Sequence, residues 1–170
     1  IAPILTGAKA HVVDYTKESV PELLLIGEFN RANARAAKAA ARAAYPDISE
    51  TTADDALQAF RGSWRRFEYK GETVNGAQVY DDYAHHPTAI EKTIAGAREK
   101  FKGKTLVIAF HPHLYSRTKS FLNEFAEALA KADRAIVAPI YAAREADDGS
   151  ISNHVLADLA RAKGGEVIAL

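Results

Sequence analysis

Apolar and polar positions along the chain fall into two regimes. Up to about residue 60 the pattern is mostly helical, and beyond about residue 77 short apolar runs alternate with stretches of helical period. The apolar run at 1–6 is short and ends at Gly7-Ala8, while 10–13 and, more strongly, Leu23-Leu24-Leu25-Ile26 read as strands, the latter closed by Gly27. Residues 30–45 read as a helix, because alanine has the best intrinsic propensity and nothing interrupts the run. Arg31, Arg35, Lys38 and Arg42 share one side of it and read as a solvated face, and Ala32, Ala36, Ala39 and Ala43 share another. Pro46 ends that helix by disfavouring helical geometry at Tyr45. A second helix is expected over 51–60, with Thr52 or Asp54 as N-cap and Ala56, Leu57 and Phe60 inward.

Bulky and charged residues alternate over 64–69, which predicts a strand, and Asn75-Gly76 is a hairpin signal. The stretch 61–75 is the expected junction between domains 1–62 and 63–170. After it, strands are expected at 77–80, 105–110, 135–140 and 166–170, and helices at 87–101, 118–131 and 153–163. The run 105–110 is nearly all apolar, the mark of a strand buried on both faces. Strand–helix alternation with short loops predicts an α/β fold, a doubly wound, mostly parallel sheet.

Composition narrows the function classes. Of 170 residues, 48% are hydrophobic and 26% charged, and the net charge is zero. No global field favours nucleic acid or an anionic membrane. No apolar run approaches the ~20 residues of a membrane span, and cysteine is absent, which excludes thiolate metal sites and fits a cytoplasmic protein. Methionine is absent too and the first residue is Ile1, so the chain is expected to begin inside a longer gene product. It also stops on an expected strand, so it is expected to be cut short at that end as well.

Chemistry concentrates in two strand-to-helix turns, the position where open parallel sheets place ligands. The first is Asp81-Asp82-Tyr83-Ala84-His85-His86-Pro87. Its carboxylates suit the hydroxyls of a ribose and its imidazoles a base or sugar. If Pro87 is the first helical residue, His86 is the cap and the capping-box spacing of Thr88 and Glu91 is coincidental. The second is His111-Pro112-His113-Leu114-Tyr115-Ser116-Arg117-Thr118, where an arginine at a helix start suits a carboxylate or phosphate. Four histidines and two aspartates also raise a zinc site, but neither His-Glu-x-x-His nor a cysteine pair is present. Gly103-Lys104-Thr105 mimics the end of a P-loop, yet Arg98 occupies the glycine position and the triplet precedes a strand.

Together these turns resemble the Mur ligases, ATP-dependent enzymes that build the peptide stem of the bacterial cell wall. Asp82-Tyr83-Ala84-His85-His86-Pro87 is similar to the Asp-x-Ala/Gly-His-x-Pro motif that opens their C-terminal domain. His111 to Thr118 resembles the Gln-Pro-His-Arg-Tyr-Ser-Arg-Thr turn of the branch that joins L-alanine to UDP-N-acetylmuramate. Arg65-Arg66-Phe67-Glu68 matches that branch's domain junction, and Gly27-Glu28-Phe29-Asn30-Arg31-Ala32-Asn33 is similar to the Gly-x-His-Asn-x-x-Asn ending the central domain.

The resemblance implies that 1–62 is the tail of a central ATPase domain and 63–170 a Rossmann-like, amino-acid-delivering C-terminal domain. The absent front would hold the UDP-sugar domain, the P-loop and most magnesium ligands, leaving this chain inactive alone. The implied reaction phosphorylates the muramoyl carboxylate with ATP, and the amine of alanine attacks the acyl phosphate. By motif, Asn30 and Asn33 face the adenine, Arg66 the phosphates, and Asp82 and His85 the ribose and base. His113 and Arg117, with Tyr115 and Ser116, bind the amino acid and the charge developing at the reacting centre. Phe29 stands where the family has histidine and Leu114 where it has arginine, which removes one anion contact beside Arg117. A related amino-acid or peptide ligase of the muropeptide-recycling type, a non-catalytic nucleotide-binding or partner-binding module, and a zinc hydrolase are the alternatives.

Overall fold

The computed structural model describes Ala10 and residues 12–170, in two units, Ile1–Gly62 and Ser63–Leu170. The apolar run at 1–6 lies outside the described residues, as does part of the strand expected at 10–13, whose described residues form none.

In the first unit a 3-10 turn, Tyr15–Lys17, is capped by Asp14, whose carboxylate accepts the Thr16 N–H at 3.1 Å. Helix α1 (Glu28–Ala44) starts after Gly27, whose φ of 81° a side chain would resist, and stops before Pro46. Helix α2 (Glu50–Ala59) is capped by Ser49, which accepts from the Thr52 N–H at 3.0 Å, so neither Thr52 nor Asp54 is the cap.

Further expectations for this unit are corrected. Residues 23–26 form no strand, because no other strand among the described residues of the unit offers them a backbone ladder. On α2, Ala53 is buried, Leu57 half-buried, and Ala56 and Phe60 exposed. The face is set by Asp54, which turns inward to meet Lys38 at 2.7 Å. On the basic stripe of α1 the solvated reading fails at Lys38, while the arginines form ion pairs at the surface. Lys38 is buried and donates to the Ser19 carbonyl, Glu50 and Asp54, while Arg35 pairs with Glu28 and Arg42 with Glu18.

The second unit opens with an antiparallel hairpin, β1 (Glu68–Glu72) and β2 (Gln78–Asp81), turning at Asn75-Gly76. The strand expected at 64–69 starts only at Glu68, since Trp64 to Phe67 form a turn with Arg65 and Phe67 at positive φ. The segment expected as a first parallel strand, 77–80, is therefore half of the hairpin. Helix α3 (Pro87–Lys100) follows, with Pro87 first and His86 as cap, so Thr88 and Glu91 are no capping box. Then come β3 (Val107–Phe110), α4 (Tyr115–Ser120), α5 (Leu122–Leu129), β4 (Arg134–Val137), α6 (Asn153–Ala162) and β5 (Val167–Ala169).

Strands β3, β4 and β5 form a parallel sheet in that order, as strand–helix alternation dictates. Register places Ile108, Phe110, Ala135, Val137, Val167 and Ala169 on one face, which packs with Ile90, Ile94, Phe125, Leu129 and Leu156 into the core. Each fully buried large side chain there contributes about 1.5–3 kcal/mol. The α/β class and the parallel sheet are thus present, and helices α3, α5 and α6 all join this one core. Strand β3 is not buried on both faces: it lies at the sheet edge, with Val107 exposed. The single helix expected at 118–131 is two, broken at Phe121, whose φ of −116° leaves the helical range as its ring meets His86.

Candidate functional site

The first turn is held by Asp82. One carboxylate oxygen accepts the Phe67 N–H at 2.9 Å and the other accepts the Ala84 N–H at 2.7 Å. Tyr83 donates its N–H to the Arg65 carbonyl at 2.8 Å. These bonds over-determine two strained residues, Arg65 at φ 54° and Phe67 at φ 49°. Phe67 then stacks on Tyr80 at 4.6 Å, while the Arg65 guanidinium meets Asp81 at 2.9 Å and lies 5.1 Å over the Tyr83 ring. The neighbouring Arg66 is exposed. His85 is exposed, with Nδ1 2.9 Å from the Tyr83 carbonyl.

The second turn is strained in the same manner and braced from a third segment. Leu114 sits at φ 73° and its N–H donates to the Tyr141 carbonyl at 2.9 Å. Tyr141 returns its own N–H to the Pro112 carbonyl at 2.8 Å, which makes a parallel bridge between His113 and Tyr141. The Tyr141 ring packs against His113 at 5.0 Å and His111 at 5.9 Å. Thr118, fully buried, donates its hydroxyl to the Leu114 carbonyl at 2.8 Å. Glu145 accepts the Ser116 N–H at 2.9 Å and the Ser116 hydroxyl through its other oxygen. Those two bonds, and more weakly the Arg117 charge, hold its carboxyl below the usual range. Burial, then a hydrogen bond to Asp147, pushes the Tyr115 hydroxyl up.

The two turns share one edge of the second unit. His86 meets Phe121 edge-on at 4.6 Å, just beyond the second turn. A cavity of about 530 Å³ is lined by Asp82 and Ala84 from the first turn, by Tyr80 and Phe67, and by β3 as far as Phe110. Asp82, His85, His113, Tyr115, Ser116 and Arg117 therefore belong to neighbouring turns, and Arg66 lies in the 64–67 turn that Asp82 holds. Arg117 is half-exposed, and among the described residues its guanidinium makes no side-chain hydrogen bond or ion pair. Asn30 and Asn33 lie in the first unit. Asn30 donates its amide to the Ile26 carbonyl at 2.8 Å, and Asn33 is exposed.

Sequence reasoning missed the segment 141–148. Its signal was available: an aromatic and three carboxylates, Glu145, Asp147 and Asp148, follow the next parallel strand at the same sheet edge. Among the described residues no three His, Cys, Asp or Glu side chains converge to hold a metal, and no helix is long and apolar enough to cross a membrane. The four histidines are spread over two turns and engaged with Tyr83, Phe121 and Tyr141.

Comparison with known proteins agrees with the geometry. Residues 65–169 match the family model described as Mur ligase, glutamate ligase domain. A UDP-N-acetylmuramate–L-alanine ligase of Agathobacter rectalis is 45% identical over 148 residues, 87% of this chain and 30% of that protein. The solved structure of the UDP-N-acetylmuramate–alanine ligase of Thermotoga maritima superposes with a TM-score of 0.67 at 29% identity, over 87% of this chain and 30% of that one. A murein peptide ligase of Psychrobacter arcticus gives 0.57 at 30% identity, over 88% and 30%. The chain spans about a third of the length of these relatives.

Proposed function

Because the chain belongs to the Mur ligase family, we propose that it is the C-terminal part of an ATP-dependent ligase that joins L-alanine to UDP-N-acetylmuramate. In the proposed reaction the muramoyl carboxylate takes the terminal phosphoryl group of ATP and releases ADP. The amine of alanine then attacks the acyl carbon and expels inorganic phosphate, forming the amide. The observation that carries the assignment is the Arg117 guanidinium, which makes no side-chain hydrogen bond or ion pair among the described residues and sits on a turn braced through Leu114 and Ser116. A guanidinium so placed offers a carboxylate two parallel N–H bonds.

In the second unit, Arg117 and His113 take the carboxylate of alanine, with Tyr115 and Ser116 shaping the turn. Asp82 and His85 are assigned to the ribose and base of ATP, and Arg66 to its phosphates. In the first unit, Asn30 and Asn33 are assigned to the adenine. Magnesium, which the family chemistry implies, would neutralise charge on the phosphates when bound; its ligands are assigned mainly to the central ATPase domain rather than to residues of this chain.

The test is phosphate release by the full-length ligase with UDP-N-acetylmuramate, ATP and L-alanine, beside the 170-residue chain alone. Alanine-dependent release by the full-length protein only is expected. Release by the short chain would contradict the assignment. A second reading, a murein peptide ligase, has the similarity to the Psychrobacter arcticus enzyme and the loss of arginine at Leu114 in its favour. It predicts that a peptide replaces alanine as the better acceptor.

A further inference from the structure

The turn that carries Arg117 does not stand alone. Two of its backbone groups are paired to Tyr141, and the N–H and hydroxyl of Ser116, in the first turn of α4, are taken by Glu145. Lys119, one turn further, donates to Ser150 at 2.9 Å. A segment beyond the neighbouring strand β4 is thus laced to the start of α4. The carboxylate of Glu145 occupies the Ser116 donors that the sequence offered to a substrate anion. The Arg117 guanidinium and the His113 ring are donors that this turn still offers a substrate carboxylate.

We propose that Glu145 is a positioning residue of the amino-acid site: by holding Ser116 through both carboxylate oxygens, it fixes the direction in which the next residue, Arg117, presents its guanidinium. This rests on the assignment of Arg117 to the amino acid. Leu114 at φ 73° is a conformation that non-glycine residues keep only when their surroundings impose it. The Tyr141 carbonyl imposes it from one end of the turn and Glu145 from the other. A side chain that acts by aiming another one changes the affinity for the ligand the aimed group binds, and leaves unrelated ligands alone.

In the full-length ligase, Glu145→Ala is expected to raise the KM for alanine about tenfold, the size expected for loss of a charge-assisted hydrogen bond. The KM for ATP should stay within about twofold on the same reasoning. Glu145→Gln keeps one acceptor for Ser116 and should recover most of the alanine affinity, which separates aim from charge. Glu145→Asp keeps the charge but falls short of Ser116 by one methylene, and its alanine KM should lie between wild type and the alanine variant.

Arg117→Ala is run beside them. If it raises the alanine KM while Glu145→Ala and Glu145→Asp do not, the positioning role is wrong and the site assignment survives. If none of the three moves it, both fall. Should Glu145→Ala fail to fold, the aspartate and glutamine variants still decide: wild-type alanine KM in the aspartate variant, or no rescue in the glutamine variant, overturns the proposal.

Discussion

The carboxylate of Asp82 accepts the Phe67 N–H at 2.9 Å across fifteen residues of chain, tying the strand-end turn to the start of the hairpin. Its other oxygen holds Ala84 at 2.7 Å. The aspartate that the family motif assigns to a ribose is therefore also a structural clamp, joining Ala84 to Phe67, which sits at φ 49°. A carboxylate can accept about four hydrogen bonds, so one oxygen can serve the backbone and still face a hydroxyl.

Asp82→Ala should on this ground destabilise the 170-residue chain by about 1–3 kcal/mol, the cost of leaving partly buried N–H groups unpaired. In a unit of this size that lowers Tm by several degrees, at roughly 4–8 °C per kcal/mol. A thermal melt followed by circular dichroism reads it directly. A Tm equal to wild type would mean the clamp is idle.

Kinetics separate the two turns. In the full-length ligase, Arg117→Ala should raise the KM for alanine roughly ten- to a hundredfold, the range for losing a charged hydrogen bond of about 1.5–3 kcal/mol. Asp82→Asn should instead raise the KM for ATP, measured at saturating alanine and below its own melting range. Effects in the reverse order would refute the assignment of the turns.

Much of the second unit was legible because its helices and strands follow simple periods. Pro87 marks a helix start, Ile90, Ile94, Phe125 and Leu129 fall at helical spacing, and Asn75-Gly76 fixes the hairpin. What escaped was set by partners distant in sequence. Nothing local to Lys38 says that Asp54 and Glu50 will bury it, so its stripe read as solvated. Nothing in Leu23 to Ile26 reveals that no strand is available to pair with it. Apolar content alone could not tell that β3 ends at a sheet edge. The clamp from Glu145 escaped for the same reason, since it depends on two consecutive strand ends lying side by side.

The buried Lys38 gives a second stability test, in the first unit. Its ammonium is wholly shielded and held by Asp54 at 2.7 Å, Glu50 at 3.1 Å and the Ser19 carbonyl at 3.0 Å. The hydrogen bond to Asp54 is the main reason its pKa is raised. Lys38→Met keeps the volume and should cost about 1.5–3 kcal/mol, because the carboxylates are partly exposed and can be rehydrated. Asp54→Ala should cost more than Glu50→Ala, since Asp54 makes the shorter bond and is the less exposed. Equal urea midpoints for these two variants would contradict that ranking.

Acid should weaken the second unit through Asp133. Its carboxylate takes both arms of Arg98, at 2.7 and 2.8 Å, and the Leu106 N–H at 2.6 Å, so it joins α3, the segment leading into β3, and the approach to β4. The guanidinium first, then the Leu106 N–H, lower its pKa from the ordinary 3.8 to about 2. The folded state thus binds this proton more weakly than the unfolded chain does. Above the unfolded value both states are ionised and the stabilisation is fully present. As pH falls, the unfolded chain takes up the proton first, and the contribution fades until the folded group is protonated near 2. Urea unfolding of wild type and Asp133→Asn at intervals from pH 5 to pH 2 checks this. The stability difference between the two proteins should be constant above about pH 4.5 and shrink steadily below pH 4, a window set by the two pKa values. A difference that stays constant down to pH 2 would show that Asp133 carries no linked proton.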